Sequence, residues 1–163
     1  MRKHIQYHEV QHFRQAWLWY LLISSSFIGL LPLIIFIATG EIPFREGWWV
    51  LGIVLGITFI NLAAFYYARL EIKMSEEGIA YRWWPFFRKF RTLQWEQIDY
   101  ITVRKYSALK VGYHYNKEFG KVHLVNSGSG YQVVLYNGKK YFFGTQRKLS
   151  VENVLQQTGK LKL

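Results

Sequence analysis

The chain has 163 residues, no cysteine, and 21 Lys and Arg against 10 Asp and Glu, a formal net charge of +11. Disulfides, thiolate metal sites and cysteine nucleophiles are excluded. The basic excess favours anionic partners, and it is concentrated late in the chain, where 17 basic and 7 acidic side chains lie from Arg69 onward.

Residues 1–15 read as a cytoplasmic juxtamembrane segment. His4, His8 and His12 recur every fourth residue, so a helix would place them on one face. Two imidazoles at that spacing can chelate a metal. Set against this is a polar stripe on an interfacial helix whose other face carries Ile5, Val10 and Phe13. Glu9 falls off the histidine face, so no metal site is assigned and no cofactor is expected. The start is not expected to be a cleavable signal peptide, because no small-residue cleavage site follows it and the apolar run is too long.

Two apolar stretches follow, about Ala16–Ala38 and Trp48–Tyr67, without an Asp, Glu, Lys or Arg in either. Each has the length of about 20 residues that a helix needs to cross the bilayer core. Residues 16–68 are therefore expected to form a transmembrane helical hairpin. Trp17, Trp19, Trp48, Trp49, Tyr66 and Tyr67 mark its interfaces. Arg2, Lys3 and Arg14 flank one side, and Arg69 and Lys73 the return. The positive-inside rule then puts both termini in the cytoplasm. Gly52 and Gly56 form a small-xxx-small pair for helix packing, most simply against the first span and otherwise against a partner subunit. Asn61 and Ser24–Ser26 are the polar groups that an oligomeric transporter or channel component would need to turn toward a shared cavity.

Residues 69–163 read as a cytoplasmic β domain. Leu70, Ile72 and Met74 alternate with charged or polar residues, the period of a strand. Further strands are expected over 79–84, 90–95, 98–106, 111–115, 121–126, 131–136 and 139–144. Ser127–Gly130 reads as a turn, and Asn137-Gly138 as a type I′ hairpin turn. Ser150 is placed to cap a short terminal helix carrying Val151, Val154 and Leu155. The expected architecture is about seven antiparallel strands followed by one helix.

That order of elements is the order of the pleckstrin-homology fold. Gly78–Phe86, Leu93–Ile98, the tyrosine- and glycine-rich stretch to Tyr131, and Gly138–Gln146 resemble the bacterial PH-like domains found behind two membrane spans in small membrane proteins. The resemblance covers about residues 1–160. It implies a multi-pass protein of the bacterial inner membrane and carries over no catalytic residue. Pleckstrin-homology domains that hold phosphoinositides share basic residues around their first hairpin. Here the hairpin offers Lys73 and Arg82, but its turn is Glu76-Glu77 and Trp84 stands two positions after Arg82, so stereospecific inositide binding is not expected.

One patch stands out: Trp83, Trp84, Phe86 and Phe87 beside Arg88, Lys89 and Arg91. Rings entering a headgroup layer while cations meet anionic lipid would make it a membrane-contact site. The other reading is that some rings fill the core and the charges cap a solvated turn. Lys139, Lys140, Arg147 and Lys148 form a second basic group by sequence. A membrane tether argues against nucleic acid as partner. His114, His123, Glu96 and Asp99 have no spacing that suits catalysis, and no phosphate loop or nucleophile motif is present. The expected function is non-enzymatic: a membrane-anchored binding or scaffold module. It would dock on the anionic inner leaflet or a membrane protein partner, or serve as an accessory subunit of a larger complex or a homo-oligomer.

Overall fold

A computed structural model describes residues 5–41, 43–106 and 111–162. The chain divides into two compact units. One runs from Phe13 to Tyr67 and is helical, and the other joins the residues up to His12 with those from Ala68 on.

The helical unit consists of α1 (Ala16–Ala38) and α2 (Phe44–Tyr67). Both helices are long and apolar enough to cross a membrane. Phe27, Ile28, Trp49, Phe59 and Ile60 are exposed on them. In water such surface costs about 25 cal/mol per Å², a penalty that hydrocarbon removes. The polar groups are satisfied within each helix. Ser24 and Ser25 donate to the carbonyls of Leu21 and Leu22, Ser26 also to Leu22, and Asn61 to Ile57 at 2.9 Å. The two helices meet at both ends. Phe13 packs edge-on to Phe65 and Trp19 to Tyr66, with ring centres 6.2 and 6.4 Å apart. At the other end a Cβ on Gly47 would stand 2.5 Å from Ile37 Cγ1. Gly47 is thus the glycine that lets the helices close. Gly52 and Gly56 are not: a Cβ at either would meet nothing within 4 Å, which corrects the expectation that they face the first span.

The second unit is built on two sheets. The first has the order β1 (Ile5–His12), β2 (Arg69–Ser75), β3 (Gly78–Trp84), β4 (Arg91–Gln94). The second consists of β5 (Ile98–Tyr106), β6 (Gly112–Asn116), β7 (Gly120–Leu124), β8 (Gly128–Leu135) and β9 (Lys140–Gly144), in the spatial order β5-β8-β9-β7-β6. Helix α3 (Lys148–Gln157) follows and buries Val151 and Leu155. The inward residues of the alternating strands, Leu70, Ile72, Met74, Ile79, Ile101 and Phe142 among them, are fully buried.

Several expectations are corrected. The strands number nine among the described residues rather than about seven. They are not all antiparallel, since β7 and β9 run parallel with Val122 opposite Phe142. The lead-in is a strand and not an interfacial helix: β1 pairs antiparallel with β2, His12 opposite Arg69 and His8 opposite Lys73. The helical unit is therefore inserted in the sequence between two neighbouring strands of one sheet. Ser127–Gly130 mostly belongs to β8, where Gly130 is needed because a Cβ there would run into Phe142 and the Phe143 carbonyl. Asn137-Gly138 does close a hairpin, but only Gly138 has positive φ (78°). Gly138 N–H donates to Leu135 O and Leu135 N–H to Lys139 O, the pattern of a type I turn followed by a left-handed glycine. Helix α3 begins at Lys148 after Arg147, so Ser150 lies inside it and does not cap it.

Candidate functional site

Strand β3 sends Ile79, Tyr81 and Trp83 inward and Arg82 and Trp84 outward. The outward residues build an interlocked cation–aromatic face. Glu71 of β2 is buried and accepts from Arg69 Nε at 2.8 Å and from Arg82 at 2.8–2.9 Å. Arg82 lies 4.4 Å from the centre of the Phe90 ring and 5.7 Å from that of Trp84. Lys73 lies 4.8 Å over Phe90. Such contacts are worth about 0.5–1 kcal/mol each at exposed sites.

These residues hold the β3–β4 loop in shape. Arg82 Nη1 donates to Arg88 O at 3.1 Å, and Phe87 N–H donates to Trp83 O at 2.6 Å. The loop presents Phe86 and Phe87, which are 64% and 47% exposed, beside exposed Arg88 and Lys89. Arg91 lies 5.0 Å over the Phe87 ring. Of the seven residues expected at a membrane contact, Phe86, Phe87, Arg88, Lys89 and Arg91 are at the surface and Trp84 is half-buried. Trp83 is a core residue, 5% exposed.

Trp83 leads to His123, which its spacing in the sequence did not mark as a site residue. The Trp83 Nε1–H donates to His123 Nδ1 at 2.8 Å. An indole nitrogen only donates, so Nδ1 accepts and the imidazole proton sits on Nε2. His123 is buried among Tyr81 and Trp83 of the first sheet and Tyr113 and Phe143 of the second, with ring centres 4.7–6.4 Å away. Burial, then Arg91, Lys121 and His114, push its pKa down to about 3. The ring is neutral at physiological pH, and its Nε2–H has no hydrogen-bond partner among the described residues. His123 also lines a cavity of about 160 Å³ behind the β3–β4 loop, together with Lys89, Arg91 and Tyr113.

The remaining candidates are not brought together. His114 Nε2 shares a hydrogen bond with the Tyr106 hydroxyl at 2.7 Å. Glu96 and Asp99 are exposed. Lys139 precedes β9 and Lys140 begins it, and both line a groove with Tyr115, Lys117 and Lys121, whereas Arg147 and Lys148 lie beyond the strand's far end. His8 and His12 share a strand face opposite Lys73 and Arg69, cations that oppose a metal ion there, and His4 lies outside the described residues. No group of three His, Asp or Glu close enough for a metal occurs among the described residues.

No known protein family, curated protein or solved structure matches the chain.

Proposed function

We propose that the protein is a non-enzymatic, membrane-anchored binding module that docks its β3–β4 loop on an anionic leaflet. The observation that carries this reading is the pairing of exposed Phe86 and Phe87 with Arg88 and Lys89 on a tethered loop. A ring can enter the headgroup layer while each nearby cation gains about 1 kcal/mol from anionic lipid.

Strand pairing supports two membrane crossings. β1 and β2 lie on either side of the helical unit in sequence yet pair residue by residue, so they must occupy the same side of a bilayer. An even number of crossings does this, and in the proposed reading that side is the cytoplasm of a bacterial inner membrane, a choice the flanking basic residues support. A pleckstrin-homology-like reading is supported by the orders β1-β2-β3-β4 and β5-β8-β9 and by the terminal helix. In that reading the β6–β7 hairpin is an insertion that extends the second sheet.

The test uses the full chain in nanodiscs. The absence of cysteine allows Phe86→Cys to carry a polarity-sensitive dye. Its emission should shift to the blue when phosphatidylglycerol replaces phosphatidylcholine. Arg88→Glu, Lys89→Glu and Arg91→Glu together should abolish the shift. Emission that ignores lipid charge sinks the proposal.

The open face at Gly52 and Gly56 favours a second reading, an accessory subunit holding a partner helix. Gly52→Leu with Gly56→Leu should then remove a stoichiometric partner from a mild-detergent purification while leaving the β unit folded.

A further inference from the structure

The cavity behind the loop has a chemistry that surface docking leaves unused. At about 160 Å³ it is close to the volume that holds a benzene-sized group. Arg82, Lys89 and Arg91 line it, and no acidic side chain among the described residues does. The charge of Arg82 is already met by Glu71 at 2.8 Å. Lys89 and Arg91 have no acidic partner among the described residues. Trp83, Phe87 and Tyr113 supply apolar walls, which strengthen electrostatic attraction inside. His123, only 3% exposed, forms the floor of the cavity with its neutral ring.

We propose that this cavity binds a phosphate monoester group, held by Lys89 and Arg91 over the His123 ring, whose N–H then reports on it. A monoester carries about −1.5 to −2 charges at pH 7, which matches two uncompensated cations better than the single charge of a diester or carboxylate. Its tetrahedral oxygens meet donors from several directions, and a guanidinium fork fits two of them at once. Tyr113 and His123 come from the β6–β7 hairpin, so the site is built by both sheets and shares only Phe87, Lys89 and Arg91 with the docking loop. The group belongs either to a lipid headgroup or to a soluble phosphate ester, and both present the same chemistry to these residues. The inference goes beyond the docking proposal, because it concerns a pocket that a soluble ester could fill without any membrane contact.

The experiment follows the His123 Nε2–H in ¹H–¹⁵N spectra of the full chain in nanodiscs, with the signal assigned by its loss in His123→Gln. In the first arm, glycerol phosphate is titrated against phosphatidylcholine nanodiscs. In the second, the nanodiscs contain phosphatidic acid and no soluble ester. A saturable shift in the first arm identifies a soluble ester. A shift in the second arm alone identifies a headgroup. Lys89→Gln and Arg91→Gln are surface changes that leave the core intact, and each should weaken binding about tenfold. No shift in either arm overturns the proposal, as does an equal shift with chloride at matched ionic strength or unchanged affinity in both variants. Failure of the docking proposal reads differently, because it is scored with phosphatidylglycerol, a diester, and a dye at position 86.

Discussion

The Thr145 hydroxyl donates to Glu9 Oε2 at 2.8 Å, joining the strand before the first apolar helix to the junction between the last strand and the last helix. The Gln146 N–H donates to the other carboxylate oxygen at 2.8 Å, and the Tyr7 hydroxyl donates to Oε2 as well. Gln11, two residues further along β1, donates to Gly144 O at 2.7 Å. Burial, then the Glu9 contact, raise the Tyr7 pKa above its ordinary value. The inward face of β1 is thus a polar latch. Hydrogen bonds to charged groups are worth about 1.5–3 kcal/mol, and buried donors left without acceptors cost more. Glu9→Ala orphans three donors, so a loss of about 2–4 kcal/mol is expected, read as a lower Tm of the full chain in detergent. An unchanged Tm would mean that the latch does not hold the unit together.

The register of β1 against β2 predicts what a shortened protein will do. His12 and Arg69 face each other where the helical unit departs and returns. Replacing residues 13–68 with Asn-Gly, a two-residue hairpin loop, should give a soluble, folded β unit. A chain that starts at Arg69 should aggregate, because β2 then presents a bare edge and Thr145 loses Glu9. Amide dispersion and gel-filtration profiles separate the two outcomes.

His123 makes stability pH-dependent in a defined direction. The folded ring takes up its proton near pH 3, against about 6.5 for an exposed histidine. Between these values the unfolded chain binds more protons. Stability is therefore complete above 6.5 and falls by up to about 1.4 kcal/mol for each pH unit below it. His123→Gln keeps an acceptor for Trp83 and removes the titration. Its Tm should fall less than that of the wild type between pH 7 and pH 5, and equal slopes would assign the acid sensitivity elsewhere.

Tyr131 offers a stabilising change. The side chain is fully buried, its hydroxyl has no hydrogen-bond partner among the described residues, and burial drives its pKa well above the usual value. Tyr131→Phe removes a desolvated hydroxyl without altering the ring, and a gain of up to about 1 kcal/mol is expected. A lower Tm would reveal a partner such as an enclosed water.

The two long helices were legible because length and apolarity decide them locally. So were β2 and β3, whose inward apolar residues alternate at period two. β1 was not. Its buried face is Tyr7, Glu9 and Gln11, so no apolar alternation announces it, and histidines four apart share a face on a strand as well as on a helix. Its partner also lies beyond the whole helical unit. The parallel pairing of β7 with β9 and the burial of His123 depend on contacts between distant segments. A lone histidine between Val122 and Leu124 carries no sequence signal of its own. The aromatic–basic run was visible, but alternation alone could not say that Trp83 turns to the core while Phe86 and Phe87 stay outside.

The insertion of two helices between paired strands also sets a timetable for biosynthesis. β1 leaves the ribosome first and waits, unpaired, while the entire helical unit is translated, some seconds at roughly 5–20 residues per second. Its latch partners, Thr145 and Gln146, arrive later still. A chain in which only one helix enters the bilayer would hold β1 and β2 on opposite faces, and neither the sheet nor the latch could form. In the two-crossing reading, completion of the β unit therefore waits on the insertion of both helices.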